Sequence, residues 1–440
     1  MSERAVHLHR RRFLKTALQA GAVLAMPQVI PGSALGKDGA VPPSERIVLG
    51  GIGIGGRGSY VLGCFLGEPE VQFVAICDVR ADRRESVKAK IDAKYGNQDC
   101  AMYRDFREFL ARSDIDAVLI TTGSNWHALL SIYSAKAGKD VYCEKPCTKN
   151  IAESLALAET FRRTGRVFQG GMQRRNLPHF EFAVELARRG KLGKLQAVHA
   201  HPGGMGTSMS GWAAAEPEPP KEKEDWDLWL GPAPWRPYNR EYVAGIGGWL
   251  CCFDFNAGGG FLNWASHTVD LCQWANRADG TTPVEFEPVG PQRGYGAKRV
   301  VHARYANGTQ LVMRPQDGEG WLNLGSCQVR FEGEDGWVET GDSGKIALYP
   351  ESLRTQQKTA TDVNLDAEGH VRDFFDCVKS RAQPACNADI ARSSHVAGHA
   401  AAIAWMLDRK VAFDPVKEAF IGDDEANRMR TRPMRAPWRL

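Results

Sequence analysis

The segment RIVLGGIGIGGRGSYVLGCFL, residues 46–66, is the tightest constraint on what this chain can become. An apolar run enters the turn Gly53-Ile54-Gly55-Gly56-Arg57-Gly58, and a helix-forming stretch from Ser59 to Leu66 leaves it. A second apolar run, VQFVAICD, ends in Asp78, 25 residues after Gly53. In a strand–turn–helix unit the glycines have separate duties. Gly53 permits the tight turn, Gly55 lets backbone approach a pyrophosphate, and Gly58 lets helix and strand pack closely. The helix N-terminus then faces phosphate, and Asp78 accepts hydrogen bonds from ribose hydroxyls. A purely structural glycine turn has the same letters, but the strand before it, the helix after it and the acid beyond favour a dinucleotide site. Asp78 favours NAD over NADP because a carboxylate repels a 2′-phosphate, while nearby Arg80 softens that preference and keeps NADP open.

Beyond Asp78 the alternation continues, with helices expected near 81–93, 103–111, 127–137 and 151–164 and strands at 116–122, 140–143 and 166–171. Strands alternating with helices imply a doubly wound parallel sheet that binds ligands beyond the carboxyl ends of its strands. Thr121, Thr122, Asn125, His127, Glu144 and Lys145 fall at or just past such ends. A lysine in this place shares a proton with a substrate hydroxyl once burial or a neighbouring cation lowers its pKa. In isolation, Glu144-Lys145-Pro146 reads by default as an exposed charged turn, and capping or packing also explains His127. GKLGKLQAVHAHP then starts a new strand, and the Pro-rich interval 203–225 reads as a loop or arm. VEFEPVG, RVVHARYA, TQLVMRP, NLGSCQVRFEG, GWVETG and KIALYP follow at the spacing of an antiparallel sheet, and helices are expected at 367–380 and 388–407. The fold class is therefore α/β, a Rossmann domain over 46–170 followed by an α+β domain over 171–440.

The ordered set GIGIGGRG, TTGSNWHALLSIYSAKAGKDVYCEKP, GGMQRR, EDWDLWLGPAPWRPYNREYV, GGGFLNWASHTVDL and AFIGDDEANRMRTRPMRAPWRL resembles the glucose-fructose oxidoreductase/inositol dehydrogenase (Gfo/Idh/MocA) family over essentially everything after Arg46. The resemblance implies that Lys145 is the central lysine, that a cis peptide bond precedes Pro146, and that Glu144 orients the lysine or the nicotinamide ribose. It groups Gln173 with Gly53, Gly55, Gly56, Arg57, Gly58 and Asp78 on the cofactor side, and Arg174, Trp249 and Asp270 on the substrate side. It also implies an open-faced C-terminal sheet that covers the active site or forms a subunit interface, and hence a homo-oligomer, dimer or tetramer. If Phe261–Ala275 is helical, as the family implies, Asn263, His267 and Asp270 or Leu271 share a face. His267 then serves as acid–base partner or orients the substrate hydroxyl, although a lone helical histidine is commonly a packing residue. Asn263 departs from the family, where aspartate is common at this place; an amide hydrogen-bonds but does not exchange a proton at ordinary pH. Proton transfer then rests on Lys145 and His267, or the reaction differs from simple alcohol oxidation. Gly123 stands where proline is frequent, and only a local change in the nicotinamide loop is expected there.

Residues 9–27, HRRRFLKTALQAGAVLAMP, carry Arg10-Arg11-Arg12-Phe13-Leu14-Lys15 before a mildly apolar run. The pattern is similar to a twin-arginine (Tat) signal, whose route exports proteins already folded; an ordinary Sec signal or a basic amphipathic arm is the alternative. The signal is expected over 1–36 and a linker over 37–45. The five cations Arg4, Arg10, Arg11, Arg12 and Lys15 against Glu3 equal the whole excess of +4, so the remainder is near neutral and no nucleic-acid partner is expected. The 11 cysteines form no CxxC and read as small buried residues. His199 and His201 share a strand face without a third ligand, so no metal site is expected. Seven of the 12 tryptophans lie between 212 and 274, where aromatic faces suit carbohydrate rings although packing accounts for most of them. These features point to a periplasmic NAD-dependent oxidoreductase for a sugar, polyol or glycoside, exported with its cofactor already bound. Two alternatives stay open: a redox-neutral glycoside hydrolase that oxidises, eliminates, hydrates and reduces on one bound NAD, and a non-catalytic sugar-binding protein.

Overall fold

The computed structural model describes residues 41–42, 45–203, 213–250, 252–290, 299–316, 318, 320–356 and 367–440. The chain forms two compact units, Met1–Arg46 and Ile47–Leu440. The twin-arginine stretch and Trp212 lie outside the described residues.

The second unit opens with β1 (Ile47–Ile52), α1 (Gly56–Gly67), β2 (Val71–Cys77), α2 (Ala81–Tyr95), β3 (Ala101–Tyr103), β4 (Ala117–Ile120), α3 (Ser124–Lys136), β5 (Asp140–Cys143), α4 (Ile151–Thr164) and β6 (Phe168–Gly170). These strands pair in parallel in the order β3-β2-β1-β4-β5-β6, so the strand order reverses between β1 and β4, where such sheets bind nucleotides. Every residue of β4 and β5 is buried, as expected for strands covered on both faces. Local chemistry sets the helix ends. Asn150 accepts from the Glu153 amide at 3.0 Å before α4, and Gly165 takes a left-handed φ of 65° after it. The expected helix over 103–111 is instead β3 followed by a short helix, Phe106–Leu110, capped by Asp105. The open edge of β2 offers Ala101–Tyr103 ladder partners, and satisfying that backbone outweighs a local helical preference. Similarly, α3 begins at Ser124 rather than 127.

The chain continues through α5 (Pro178–Arg188), β7 (Leu195–Ala200), α6 (Leu262–Ala275), β8 (Glu285–Val289), β9 (Val300–Arg304), β10 (Gln310–Met313), β11 (Val329–Gly333), β12 (Trp337–Thr340), β13 (Ile346–Tyr349), α7 (Glu368–Ser380), α8 (Ala388–Leu407), β14 (Val411–Asp414) and β15 (Ala419–Phe420). The second sheet has the order β13-β12-β11-β7-β10-β9-β8-β14-β15 and is mostly antiparallel, with β7 and β10 parallel. Phe180 of α5, Leu262 and Val269 of α6 and Val396 of α8 share one apolar core with this sheet. Helix α7, expected with the second domain, turns Val371, Phe374 and Phe375 onto Phe65 and Tyr142 of the first. Among the described residues every cysteine is a free thiol, and no helix is long and apolar enough to cross a membrane.

Candidate active site

The carboxyl ends of β1, β2, β4 and β5 open onto one cleft of about 260 Å³. Gly53 turns the chain there with φ 71°, and a Cβ on it would fall 2.2 Å from Thr122 Cγ2. A Cβ at Gly58 would fall 2.1 Å from Oγ1 of Thr121, the hydroxyl that donates to the Gly53 carbonyl at 2.9 Å. Gly55 and Gly56 differ: a Cβ at either would meet nothing within 4 Å. Bare backbone therefore faces the cleft at the start of α1, the cradle that a pyrophosphate requires. At the end of β2, Asp78 Oδ1 accepts from the Arg80 amide at 3.0 Å. Burial pushes the Asp78 carboxyl up to about 6, against the Arg80 amide hydrogen bond and the charges of Arg83, Arg80 and Arg84. Only the ionised carboxylate accepts from both ribose hydroxyls, so NAD affinity is expected to fall by up to about tenfold per pH unit below that value. Calorimetric titration over a pH series checks this, with a flat profile expected for Asp78→Asn.

At the other end, β5 runs into Glu144-Lys145-Pro146, with a cis bond before the proline. Lys145 Nζ donates to the Asn263 carbonyl at 3.1 Å and to its Oδ1 at 3.3 Å, and stands 5.8 Å from the Trp264 ring centre. Burial lowers the Lys145 pKa, Glu144 opposes that shift, and Arg174 and Arg57 reinforce it. Glu144 accepts from Arg57 Nε and from the Lys145 amide, both at 3.1 Å. His127 sits between the Pro146 carbonyl, 2.7 Å from Nδ1, and the Thr122 carbonyl, 2.9 Å from Nε2. It clamps the lysine turn to the loop after β4. Asn125 donates to the Leu230 carbonyl at 3.1 Å, tying that loop to the short helix Trp226–Leu230. With its amide oriented to satisfy its neighbours, Gln173 accepts from Arg57 and Arg174 and donates to the Gly171 carbonyl. Gly123 has φ −70° and ψ 154°, a backbone that proline also adopts, so this departure is local.

Lys145, Asn263 and Trp249 line the cleft, whereas His267, Arg174, Asp270 and Gln173 are buried side chains that do not line it. His267 Nε2 accepts from Arg174 Nη1 at 3.0 Å, and Asp342 grips the same guanidinium at 3.1 and 2.8 Å. Burial first, then Arg174 and Lys145, hold His267 well below the ordinary imidazole range. It is thus a neutral acceptor for Arg174, with its other nitrogen, Nδ1, buried and without a hydrogen-bond partner among the described residues. Asp270, placed on the substrate side by sequence, is 1% exposed and saturated by Arg175 at 2.7 and 2.9 Å and Ser394 at 2.7 Å. Asp279 completes that pair from 2.7 Å. Asp342 and Asp279 went unnoticed in the sequence, where the only signal is that two adjacent buried arginines require acids from elsewhere. His199 pairs with Glu332 at 3.3 Å, and among the described residues no cluster of His, Cys, Asp and Glu could hold a metal ion.

Residues 47–172 match the model of an oxidoreductase family's NAD-binding Rossmann fold, and residues 206–440 match that of its C-terminal alpha/beta domain. The alpha-N-acetylgalactosaminidase of Shewanella oneidensis is 32% identical over 218 residues, 44% of this chain and 46% of that one. The myo-inositol 2-dehydrogenase of Thermotoga maritima is 33% identical over 120 residues, 27% of this chain and 34% of that one. The chain thus spans less than half the length of these curated relatives. Among solved structures, the WlbA dehydrogenase of Bordetella pertussis, in complex with NADH and UDP-GlcNAcA, superposes with a TM-score of 0.61 at 16% identity, over 84% of this chain and 98% of that one. That likeness is one of fold. The two family matches together cover nearly all of the chain that follows Arg46, and the first holds the sheet whose glycine cradle and lysine turn stand where a nicotinamide dinucleotide would lie. The chain belongs to the Gfo/Idh/MocA oxidoreductase family and carries that family's NAD-binding Rossmann domain.

Proposed function

We propose that this protein is an NAD-dependent oxidoreductase acting on a sugar, polyol or glycoside, with Lys145 as the base for the substrate hydroxyl. The observation that carries this reading is the pairing of Lys145 with Asn263. A neutral amine has two N–H donors and one lone pair. The two oxygens of Asn263 lie at 3.1 and 3.3 Å and take the donors, which leaves the lone pair for a hydroxyl in the cleft. Asn263 does this without the negative charge that would hold the lysine protonated, and burial acts in the same direction. NAD, when bound, accepts hydride from the carbon that bears the hydroxyl. Lys145 takes the hydroxyl proton as that carbon is oxidised, while Glu144 and His127 hold the turn. Trp229 and Trp249 line the cleft, and aromatic side chains there suit the C–H patches of a sugar ring. The Arg10-Arg11-Arg12 stretch supports export of the folded, cofactor-loaded protein to the periplasm by the Tat machinery, and the family resemblance supports a dimer or tetramer.

A second reading, a redox-neutral glycosidase, is favoured by the likeness to the alpha-N-acetylgalactosaminidase. One experiment separates the two. The protein is loaded with NAD and given a panel of sugars, polyols and chromogenic glycosides, with NADH absorbance and aglycone release read in parallel. NADH formation without aglycone release is expected. Aglycone release without net NADH would move the protein to the glycosidases, and NAD binding with no turnover of any kind would leave a sugar-binding protein.

A further inference from the structure

Residues 213–250 and 252–256 flank the cofactor cleft although in sequence they belong to the C-terminal family match, residues 206–440. Their own small core is built on Trp226, Tyr242 and Phe255, and backbone bonds fasten them beside Asp78. The Asp225 amide donates to the Val79 carbonyl at 3.1 Å, and the Ala81 amide donates to the Lys223 carbonyl at 2.8 Å. Arg80 Nη1 donates to the Val243 carbonyl at 2.8 Å. Leu228, Trp229, Val243 and Trp249 of this cover line the cleft.

The C-terminal tail grips the same cover from outside. Arg435 donates from its amide to the Pro232 carbonyl at 3.1 Å, from Nε to the Gly231 carbonyl at 3.1 Å and from Nη2 to the Asp227 carbonyl at 2.7 Å. It also pairs with the Asp227 carboxylate. Arg435 thereby ties the Gly231 and Pro232 carbonyls, which follow the Trp226–Leu230 helix, to Asp227 inside it, whose carbonyl also accepts the Gly231 amide at 3.0 Å. Arg432 donates to the Phe253 and Asn256 carbonyls at 2.7 and 3.0 Å. Trp438 closes the arrangement against Trp126, ring centres 4.9 Å apart, and Phe106, at 5.8 Å. Trp126 and Phe106 are themselves cleft-wall residues, and the Trp126 indole donates to the Leu228 carbonyl of the cover at 2.8 Å. One tail therefore joins the cover to the wall it closes upon.

We infer that Arg435 and Trp438, outside the cleft, are positioning residues that latch the cover and set how long a bound nicotinamide dinucleotide is retained. The inference rests on the NAD site and not on the identity of the substrate. The full-length protein is loaded with NAD, transferred to excess isotopically labelled NAD, and the exchange is followed by mass spectrometry of the protein-bound nucleotide. The double variant Arg435→Ala/Trp438→Ala is expected to exchange about tenfold or more faster than wild type, because interface changes act chiefly on dissociation. Arg435→Lys keeps the charge but cannot fork between two carbonyls, and an intermediate rate is expected; this variant decides the matter if the double variant does not fold. Exchange at the wild-type rate in the folded variants would overturn the latch and leave the oxidoreductase reading intact. A wild-type protein that binds no NAD would overturn both.

Discussion

Replacing Lys145 with alanine is expected to slow oxidation of the substrate roughly a hundred- to ten-thousand-fold, the range supplied by a positioned general base. The cofactor should still bind, because the glycine cradle and Asp78 lie at the far end of the cleft and the turn keeps its own supports, His127 on the Pro146 carbonyl and Glu144 on the residue 145 amide. Single-turnover formation of NADH on the protein is the measurement to use, since it reads the chemical step apart from product release. The wild-type rate should rise with pH as Lys145 loses its proton. Because burial lowers the pKa, that rise falls at lower pH than for an exposed lysine. A variant that forms NADH at the wild-type rate would remove Lys145 from the chemistry.

Asp270→Ala is expected to cost stability on the order of 3–5 kcal/mol, as breaking a buried ion pair does when it leaves a charge behind. Arg175 is 3% exposed, and after the substitution only Asp279, on a partly exposed side chain, would face it. Ser394 would lose its acceptor as well. Urea denaturation followed by fluorescence reads the loss. Substrate KM, taken at a temperature where the variant is still folded, should not change. A raised KM with unchanged stability would return Asp270 to the substrate site, as the motif pattern had suggested.

These two residues show where reading by letters succeeds and where it stops. The place of Lys145 was legible because it is local, the carboxyl end of a short buried strand with an acid before it and a proline after it, while its role came from the family resemblance. The helical spacing of Asn263, His267 and Asp270 was also legible, and α6 carries all three. Their fates were not. Asn263 meets Lys145 on the cleft wall, whereas His267 accepts from Arg174 and Asp270 from Arg175, both buried. Helical periodicity gives a face about a third of a turn wide, and which edge of that face meets solvent depends on the neighbours packed around the helix.

The glycine cradle, the parallel alternation and the acid that ends β2 follow from short-range requirements. A positive φ, a missing Cβ and a helix N-terminus each act over a few residues, and a printed sequence displays them directly. The pairing of Arg174 with Asp342, the hold of Arg435 on the cover and the packing of α7 on the first sheet came from three dimensions alone. Each joins groups far apart in the chain. A buried charge or an apolar face must find a partner, but its chemistry leaves open which of many acids, carbonyls or side chains the completed fold will bring to it.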